Sequence, residues 1–349
     1  MNQWEGKRVL ITGVCGTVGR ELLRQVLARQ PGKLIGLDNN ESELFFLDEA
    51  YREHDNVYLY LGDLRDKDKL MRKMQGADIV LHTAALKHVI LCEKTPRDAV
   101  QTNILGVQHV IDAAIANGVE RVLFTSSDKA VNPTNVMGTS KLMGERLMTA
   151  ASAHRRANGT IFASTRFGNV LGSRGSVIPL FKKQIAGGGP VTLTDPAMTR
   201  FIMTLEEAVR LVMDSVFLAC GGEVFVTKMP VARIADLAHV MIEELVQESS
   251  TIEVREIGSK PGEKLYEELM NDEETRRAVE LPDYFVVLPA FKSVYEMIEY
   301  DYPNMGEIGV NDPYNSSVQK AMDKEILRNY LKDNHLLVES SEKQTMNGE

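Results

Sequence analysis

The first 225 residues or so repeat one theme in their apolar and polar positions. Short, nearly unbroken apolar runs stand at RVLITG (8–13), KLIGLD (33–38), VYLYLGD (57–63), DIVLHTA (78–84), RVLFTSS (121–127) and TIFASTRFGN (160–169). Stretches of helical periodicity lie between them, such as GRELLRQVLAR (19–29), DKLMRKMQG (68–76) and GVQHVIDAAIANG (106–118), which ends on a C-cap glycine, Gly118. Strands without alternation are buried on both faces, and strands separated by helices pair in parallel. The pattern therefore predicts an α/β fold: a doubly wound parallel sheet of Rossmann type, with a smaller C-terminal lobe. Residues 1–170 are expected to form the Rossmann domain, its sheet completed by parts of 190–230. Residues 171–335 are expected to form most of the lobe, with helices at 231–247 and 263–270 and a strand at 251–258. The polar end, 336–349, reads as a disordered tail.

The first strand runs into TGVCGTVGRELL, which spaces Gly13, Gly16 and Gly19 as G-x-x-G-x-x-G, with Thr17 and Val18 in the turn. Alone, such spacing is a weak signal. Here it follows a strand, opens a helix, and is followed by Asp38 at the end of the second strand. Glycines permit a tight turn and close backbone approach, and a helix N-terminus stabilises a pyrophosphate. Asp38 can accept two ribose hydroxyls and would repel a 2′-phosphate, so the expected cofactor is NAD rather than NADP. Asp63 and Leu64, in LGDLRD, stand at a strand end where an adenine would lie.

Composition sets outer bounds. The 349 residues are 44% hydrophobic and 26% charged, as in ordinary globular enzymes. A formal charge of −9 argues against nucleic-acid binding. Cys15, Cys92 and Cys220 have no paired or metal-like spacing, and none of His54, His82, His109, His154, His239 and His335 forms a metal constellation, so no metal is expected. MNQWEGKRVLITG shows no signal-peptide core, and the longest apolar candidate, VRLVMDSVFLAC, is short and broken by Asp214. A cytoplasmic chain without membrane association is expected.

SSDKAVNPTNVMGTSK (126–141) holds the candidate acid–base residues. Asp128 and Lys129 follow a strand directly, at the edge where such folds bind ligands, and can supply an acid and a base. Met137 and Lys141 share a helix face. Together TGxxGxxG, GDLRD, HTAA, Asn103, a strand ending in Ser126–Ser127 and Lys141 resemble the extended short-chain dehydrogenase/reductase family, over about residues 6–270. More narrowly, AALKHV (84–89), SSDKAVNPTNVMGTSK, RFGNVLGSRGSVIPLF (166–181), MTRF (198–201) and KPGEKLYEEL (260–269) resemble the UDP-N-acetylglucosamine 4,6-dehydratases of bacterial polysaccharide biosynthesis. Some members are fused to transmembrane helices, and this chain resembles their soluble catalytic part.

The resemblance implies a redox-neutral hydro-lyase reaction: oxidation at C4 by NAD, loss of water across C5 and C6, and return of the hydride to C6. It implies that Lys129 handles the C5 proton and Asp128 protonates the leaving hydroxyl, while Ser127 binds at O4 and Lys141 holds the nicotinamide ribose. Most relatives have a tyrosine where Met137 stands, and a thioether cannot transfer a proton. The O4 proton then falls to Asp128 or to Lys129. Met137 also marks a branch of these dehydratases and inclines the expectation toward retention at C5. Ala84, Ala85, Lys87 and Asn103 are implied at the cofactor. Lys87, His88, Asn169, Val177, Ile178, Pro179, Lys182, Arg200, Lys260 and Glu263 are implied at a UDP-sugar, with Arg200 on phosphate. A homo-oligomer is expected on the same ground. A 4-epimerase or a non-catalytic NAD-binding regulator are the competing expectations.

Overall fold

A computed structural model describes residues 2–155, 159–173, 176–246, 251–258, 262, 264–291 and 297–337. The chain divides into two compact units. The first comprises Met1–Phe167, Glu206–Lys228 and Glu268–Tyr314, and the second the intervening segments from Gly168 onward.

The first unit is built on a nine-stranded sheet. β1 (Arg8–Thr12), β2 (Lys33–Asp38), β3 (Val57–Leu61), β4 (Ile79–His82), β5 (Arg121–Thr125) and β6 (Ile161–Arg166) are parallel and ordered 3-2-1-4-5-6. The central apolar runs became strands covered on both faces: β1 is buried at every position after Arg8, whereas β3, at the edge of the sheet, leaves Tyr58 and Leu61 exposed. Beyond β6 the sheet continues with Val224–Thr227 in parallel, then Tyr284–Val287 and Ala278–Glu280 as antiparallel strands. The crossovers are α1 (Thr17–Leu27), α2 (Glu41–Ala50), α3 (Lys67–Lys73), α4 (Val89–Lys94), α5 (Pro96–Ala99), α6 (Gly106–Asn117) and α7 (Val136–Ala153). Their inward faces meet the sheet, as Val107, Val110, Ile111 and Ala114 of α6 do against Val80, Val122 and Phe124. Gly118 closes α6 in the left-handed region, at φ 65°.

The second unit has its own core, formed by Phe181 and Ile185 of the helix Val177–Ala186, Leu237 and Met241 of the helix Ile234–Leu245, and Leu327 and Leu331 of the helix Lys324–Asp333. The strand expected at 251–258 is present as Val254–Glu256. The helix expected at 263–270 is not: Glu268–Met270 is a strand. Leu265 is exposed while Leu269, one helical turn later, is fully buried together with its neighbour Met270. That pattern suits a short strand covered on both faces and cannot form one apolar helical stripe. Most of the expected tail, 338–349, lies outside the described residues, whereas Leu336 is buried in the second core. Among the described residues no helix is long and apolar enough to cross a membrane.

Candidate active site

Because β1, β2, β4, β5 and β6 run parallel, Thr12, Asp38, His82, Thr125 and Arg166 end on one edge of the sheet. The winding reverses between β1 and β4, which opens a crevice there. Gly13 turns at φ +73°, and a Cβ on it would lie 2.7 Å from the Cα and N of Ala84, so the loops flanking the crevice approach through bare backbone. Gly16 precedes α1 with no side-chain cap, Thr17 and Val18 follow half-buried, and Gly19 is buried in the first turn. Uncapped first-turn N–H groups form a ready anion site. Asp38 accepts from the Cys15 N–H at 2.9 Å and from the Asn40 N–H at 3.0 Å, so it also braces the glycine loop. This turn, this helix end and this carboxylate fit a dinucleotide.

Asp63 receives the Arg65 guanidinium at 2.9 and 2.6 Å, and that bonding outweighs burial and pulls its carboxyl down to about 2. The cap of α3 is instead Asp66, accepting from the Lys69 N–H. Leu64 is buried, with its carbonyl 2.8 Å from His109 Nδ1. Asn103, inside a π-helical segment (Val100–Leu105), is turned on the chain itself. Its amide accepts from the Leu86 N–H at 2.8 Å and donates to the Leu86 carbonyl and the Ser140 Oγ, both at 2.9 Å. It thereby ties the loop holding Ala84 and Ala85 to α7. Lys87 and His88 are exposed, His88 at the N-cap of α4.

After β5 the chain passes buried Ser126 and half-buried Ser127 into a 3-10 turn, Asp128–Ala130. Asp128 is only 6% exposed. Ser127 Oγ donates to Asp128 Oδ1 at 2.5 Å, and Lys129 Nζ donates to the two Asp128 oxygens at 3.1 and 2.9 Å. A carboxylate and an amine therefore share one hydrogen-bonded unit. Asn135 caps α7 by accepting from the Gly138 N–H. A Cβ on Gly138 would stand 2.2 Å from the Lys129 carbonyl, so the helix carrying Lys141 packs directly onto the turn carrying Asp128 and Lys129.

Lys141 is buried, donates from Nζ to the Thr125 carbonyl at 2.8 Å, and lies 4.6 Å from the Phe124 ring centre. Burial pushes it down to about 8, against the pull of Glu145. His82, fully buried, stacks on the same ring at 5.5 Å and has Nδ1 2.7 Å from Thr12 Oγ1. Burial, with the Lys141 charge adding to it, pushes it down to about 3. Met137, on the same helix, is 3% exposed and packs with Cys92 and Ala99. Its thioether fills the seam with α4 and α5.

In the second unit Asn169 donates to Glu267 Oε1 at 2.6 Å. Arg200 donates to the carbonyls of Thr199, Leu265 and Lys264 at 2.8, 3.2 and 2.9 Å, with Nε 3.4 Å from Glu267. Val177 is half-buried, Ile178 sits in the core, Pro179 is exposed and Lys182 half-buried on one helix. Lys260 and Glu263 lie outside the described residues. Among the described residues no group of three or more His, Cys, Asp or Glu is placed to hold a metal ion.

Three features escaped the sequence. Gly138 is one. Glu267 is another: its second oxygen accepts from the Phe201 N–H at 2.9 Å, making it a hub for Asn169 and Arg200. The third is Arg166, fully buried at the end of β6 and held by Glu145 and Glu274. The four-residue spacing of Lys141 and Glu145 was a usable signal, whereas nothing local pointed to Glu274.

A family described as "Polysaccharide biosynthesis protein" matches residues 9–289. The chain is 45% identical to a Methanocaldococcus jannaschii protein described as an uncharacterized membrane protein, over 95% of this chain and 97% of that one. It is 36% identical to a UDP-N-acetylglucosamine 4,6-dehydratase (inverting) of Campylobacter jejuni, over 93% and 97%. It is 40% identical to a UDP-glucose 4-epimerase of Rickettsia canadensis, over 80% and 82%. Among solved structures, Pen from Bacillus thuringiensis superposes with a TM-score of 0.87 at 43% identity, covering 95% of this chain and 99% of that one. A dTDP-glucose 4,6-dehydratase of Streptomyces venezuelae, with NAD and TYD bound, superposes at 0.65 and 25% identity, covering 74% and 86%.

Proposed function

Since the chain belongs to the polysaccharide biosynthesis protein family, we propose that it is an NAD-dependent 4,6-dehydratase acting on UDP-N-acetylglucosamine. The observation that carries this reading is the Asp128–Lys129 unit at the end of β5, packed on the helix of Lys141. Elimination of water needs both an acid and a base beyond the hydride exchange, and the pair supplies them. NAD, when bound, accepts the C4 hydride and later returns it to C6.

Asp128, a carboxylate receiving two donors, takes the O4 proton as the ketone forms. Lys129, as the neutral amine, removes the C5 proton that the ketone has acidified. Asp128 then passes its proton to O6, which leaves as water and restores the carboxylate. Lys129 returns a proton to C5, and the product is a UDP-4-keto-6-deoxy-N-acetylhexosamine. Met137 has no part in the proton path. Its packing into the α4–α5 seam supports reading it as a filler beside a working site.

A 4-epimerase is the second reading, favoured by the identity with the Rickettsia enzyme. NMR of the protein with NAD and UDP-N-acetylglucosamine in D₂O separates the two. Deuterium at C5 of a 4-keto-6-deoxy product is expected. Formation of UDP-N-acetylgalactosamine, or unchanged sugar with NAD bound, would end the dehydratase reading. The same spectrum distinguishes retention at C5 from the inversion named for the Campylobacter relative.

A further inference from the structure

Glu145 stands one helical turn after Lys141, and neither it nor its partners Arg166 and Glu274 have a role in the reaction as derived above. Arg166 Nε and Nη2 donate to the two Glu145 oxygens at 2.9 and 2.7 Å. Its Nη1 and Nη2 donate to the two Glu274 oxygens, both at 2.8 Å, and Nη1 also reaches the Leu269 carbonyl at 3.0 Å. All three side chains are at most 4% exposed. Burial disfavours the charge on Arg166, but the two carboxylates beside it keep it firmly protonated. Burial likewise acts to raise Glu274, yet the Arg166 charge holds it below the ordinary range.

The charges do not cancel. Arg277 also acts on Glu274, but its guanidinium is bonded to exposed Glu273 and to the Leu288 carbonyl. Within the buried cluster itself two carboxylates face one guanidinium, and the surplus negative charge calls for a further cation. Glu145 lies four residues after Lys141 on α7, so the two share a face. We propose that Glu145, Arg166 and Glu274 are a buried counter-charge for Lys141, holding one surplus negative charge behind the ends of β5 and β6 and fixing the helix turn that carries the lysine.

Other groups around Lys141 do not supply that charge. His82 from β4 is held neutral, and β5 contributes the Phe124 ring and the Thr125 carbonyl. The 128–130 turn brings Asp128 and Lys129, which are bonded to each other and not to Lys141 in any contact seen among the described residues. Glu93 sits at the first residue of α7, accepting from the Val136 N–H at 2.6 Å, more than a turn before Lys141. The cluster also pulls in structure: Arg166 joins α7 to the Leu269–Glu274 segment, where Asn271 caps a short helical turn by a reciprocal bond with Glu274. Burial alone would drive Lys141 lower than the value near 8 that it keeps, and Glu145 is what opposes burial.

The test follows Lys141 itself. Protein labelled with ¹³C at lysine Cε is titrated by NMR without cofactor, the Lys141 signal being identified by its loss in Lys141→Arg. Glu145→Gln and Glu274→Gln each remove the surplus charge while keeping the shape. Each is expected to move the Lys141 midpoint down by about one pH unit. A cluster that only braces the fold would lower the Tm and leave the midpoint where it was, and that outcome overturns the proposal.

A measurement on the unaltered protein covers the case in which neither variant folds. If one surplus negative charge supports one cation, binding NAD, with its positive ring, should expel the Lys141 proton, and binding NADH should not. Calorimetry at pH 7 in buffers of different ionisation heat reads this directly, and equal proton release for the two cofactors refutes the inference. This second arm rests on the proposed NAD site. Failure to bind NAD would count against that reading, and the lysine titration would still decide the counter-charge.

Discussion

The glycine turn after β1 and the Asp128–Lys129 turn after β5 lie on the same sheet edge, yet different physics holds them. The first is made of backbone: Gly13 at φ +73° against Ala84, and a helix end without a side-chain cap. The second is made of buried charge: Asp128 bonded to Ser127 and Lys129, with Lys141 in a dry seam behind it. A site built by steric closeness tolerates changes of pH and fails on one added methyl group. A site built by paired charges tolerates small changes of shape and fails when a charge is removed or titrated.

The largest effect belongs to the charged turn. Asp128→Asn and Lys129→Ala should each lower product formation by roughly 10²–10⁴-fold, the span of lost general acid–base catalysis, in an assay of 4-keto sugar with NAD saturating. Activity within a few fold of the parent for either variant would remove that residue from the proton path. Gly13→Ala tests the other side. Overpacking against Ala84 costs about 1–3 kcal/mol and the left-handed backbone about 1–2 kcal/mol more. Calorimetric titration should therefore show NAD affinity collapsing, while the Asp128–Lys129 turn keeps its own geometry. An unchanged Kd would mean that the two loops separate freely.

His82 sharpens the contrast, since it lies beneath the crevice on β4 but behaves as a charge-built element. Its folded value, about 3, lies below the ordinary 6.5. The unfolded chain therefore takes up a proton first as pH falls, and the fold is penalised through the window from 6.5 down to 3. Within that window His82 should cost roughly 1.4 kcal/mol per pH unit, and above it nothing. Urea unfolding of the parent and of His82→Gln across this range measures the difference. Parallel curves would clear His82 of the effect. The smallest change is expected from Met137→Leu, a near-isosteric swap in the Cys92–Ala99 seam that should cost less than about 1.5 kcal/mol and leave turnover nearly unaltered. A loss of turnover comparable to that of Lys129→Ala would give the thioether a role that its packing does not suggest.

Much of the fold was readable because strands covered on both faces announce themselves as apolar runs; all six runs appear in the sheet, including β3 at its edge, where Tyr58 and Leu61 are exposed. The antiparallel pair at 278–287 was not readable, since strands of three and four residues carry too little pattern. KLYEEL misled for a related reason: its residues favour helix singly, and tertiary burial of Leu269 and Met270 overrode them. Among the candidate site residues, Gly13, Asp38 and Asp128 were legible as motif positions next to strand ends, and Lys141 as a helix position four residues after Met137. What Arg200 and Asn169 touch was not, because Glu267 meets them across long stretches of chain. The Arg166 cluster was hidden likewise, with Glu274 lying 108 residues away from its partner.

The chain leaves its central sheet after β6 and returns to it at Val224–Thr227, beside β6, and later at Ala278–Glu280 and Tyr284–Val287. During synthesis β6 therefore emerges with β5 on one side and its other edge unpaired, and waits for its neighbour. Translation at about 5–20 residues per second puts the closing strand, roughly 60 residues on, about 3–12 s behind it. Through that interval the nascent protein displays a ready template for unwanted strand pairing. The wait is a property of the connectivity: the strand that covers this edge is the one the chain reaches only after building most of a segment outside the sheet.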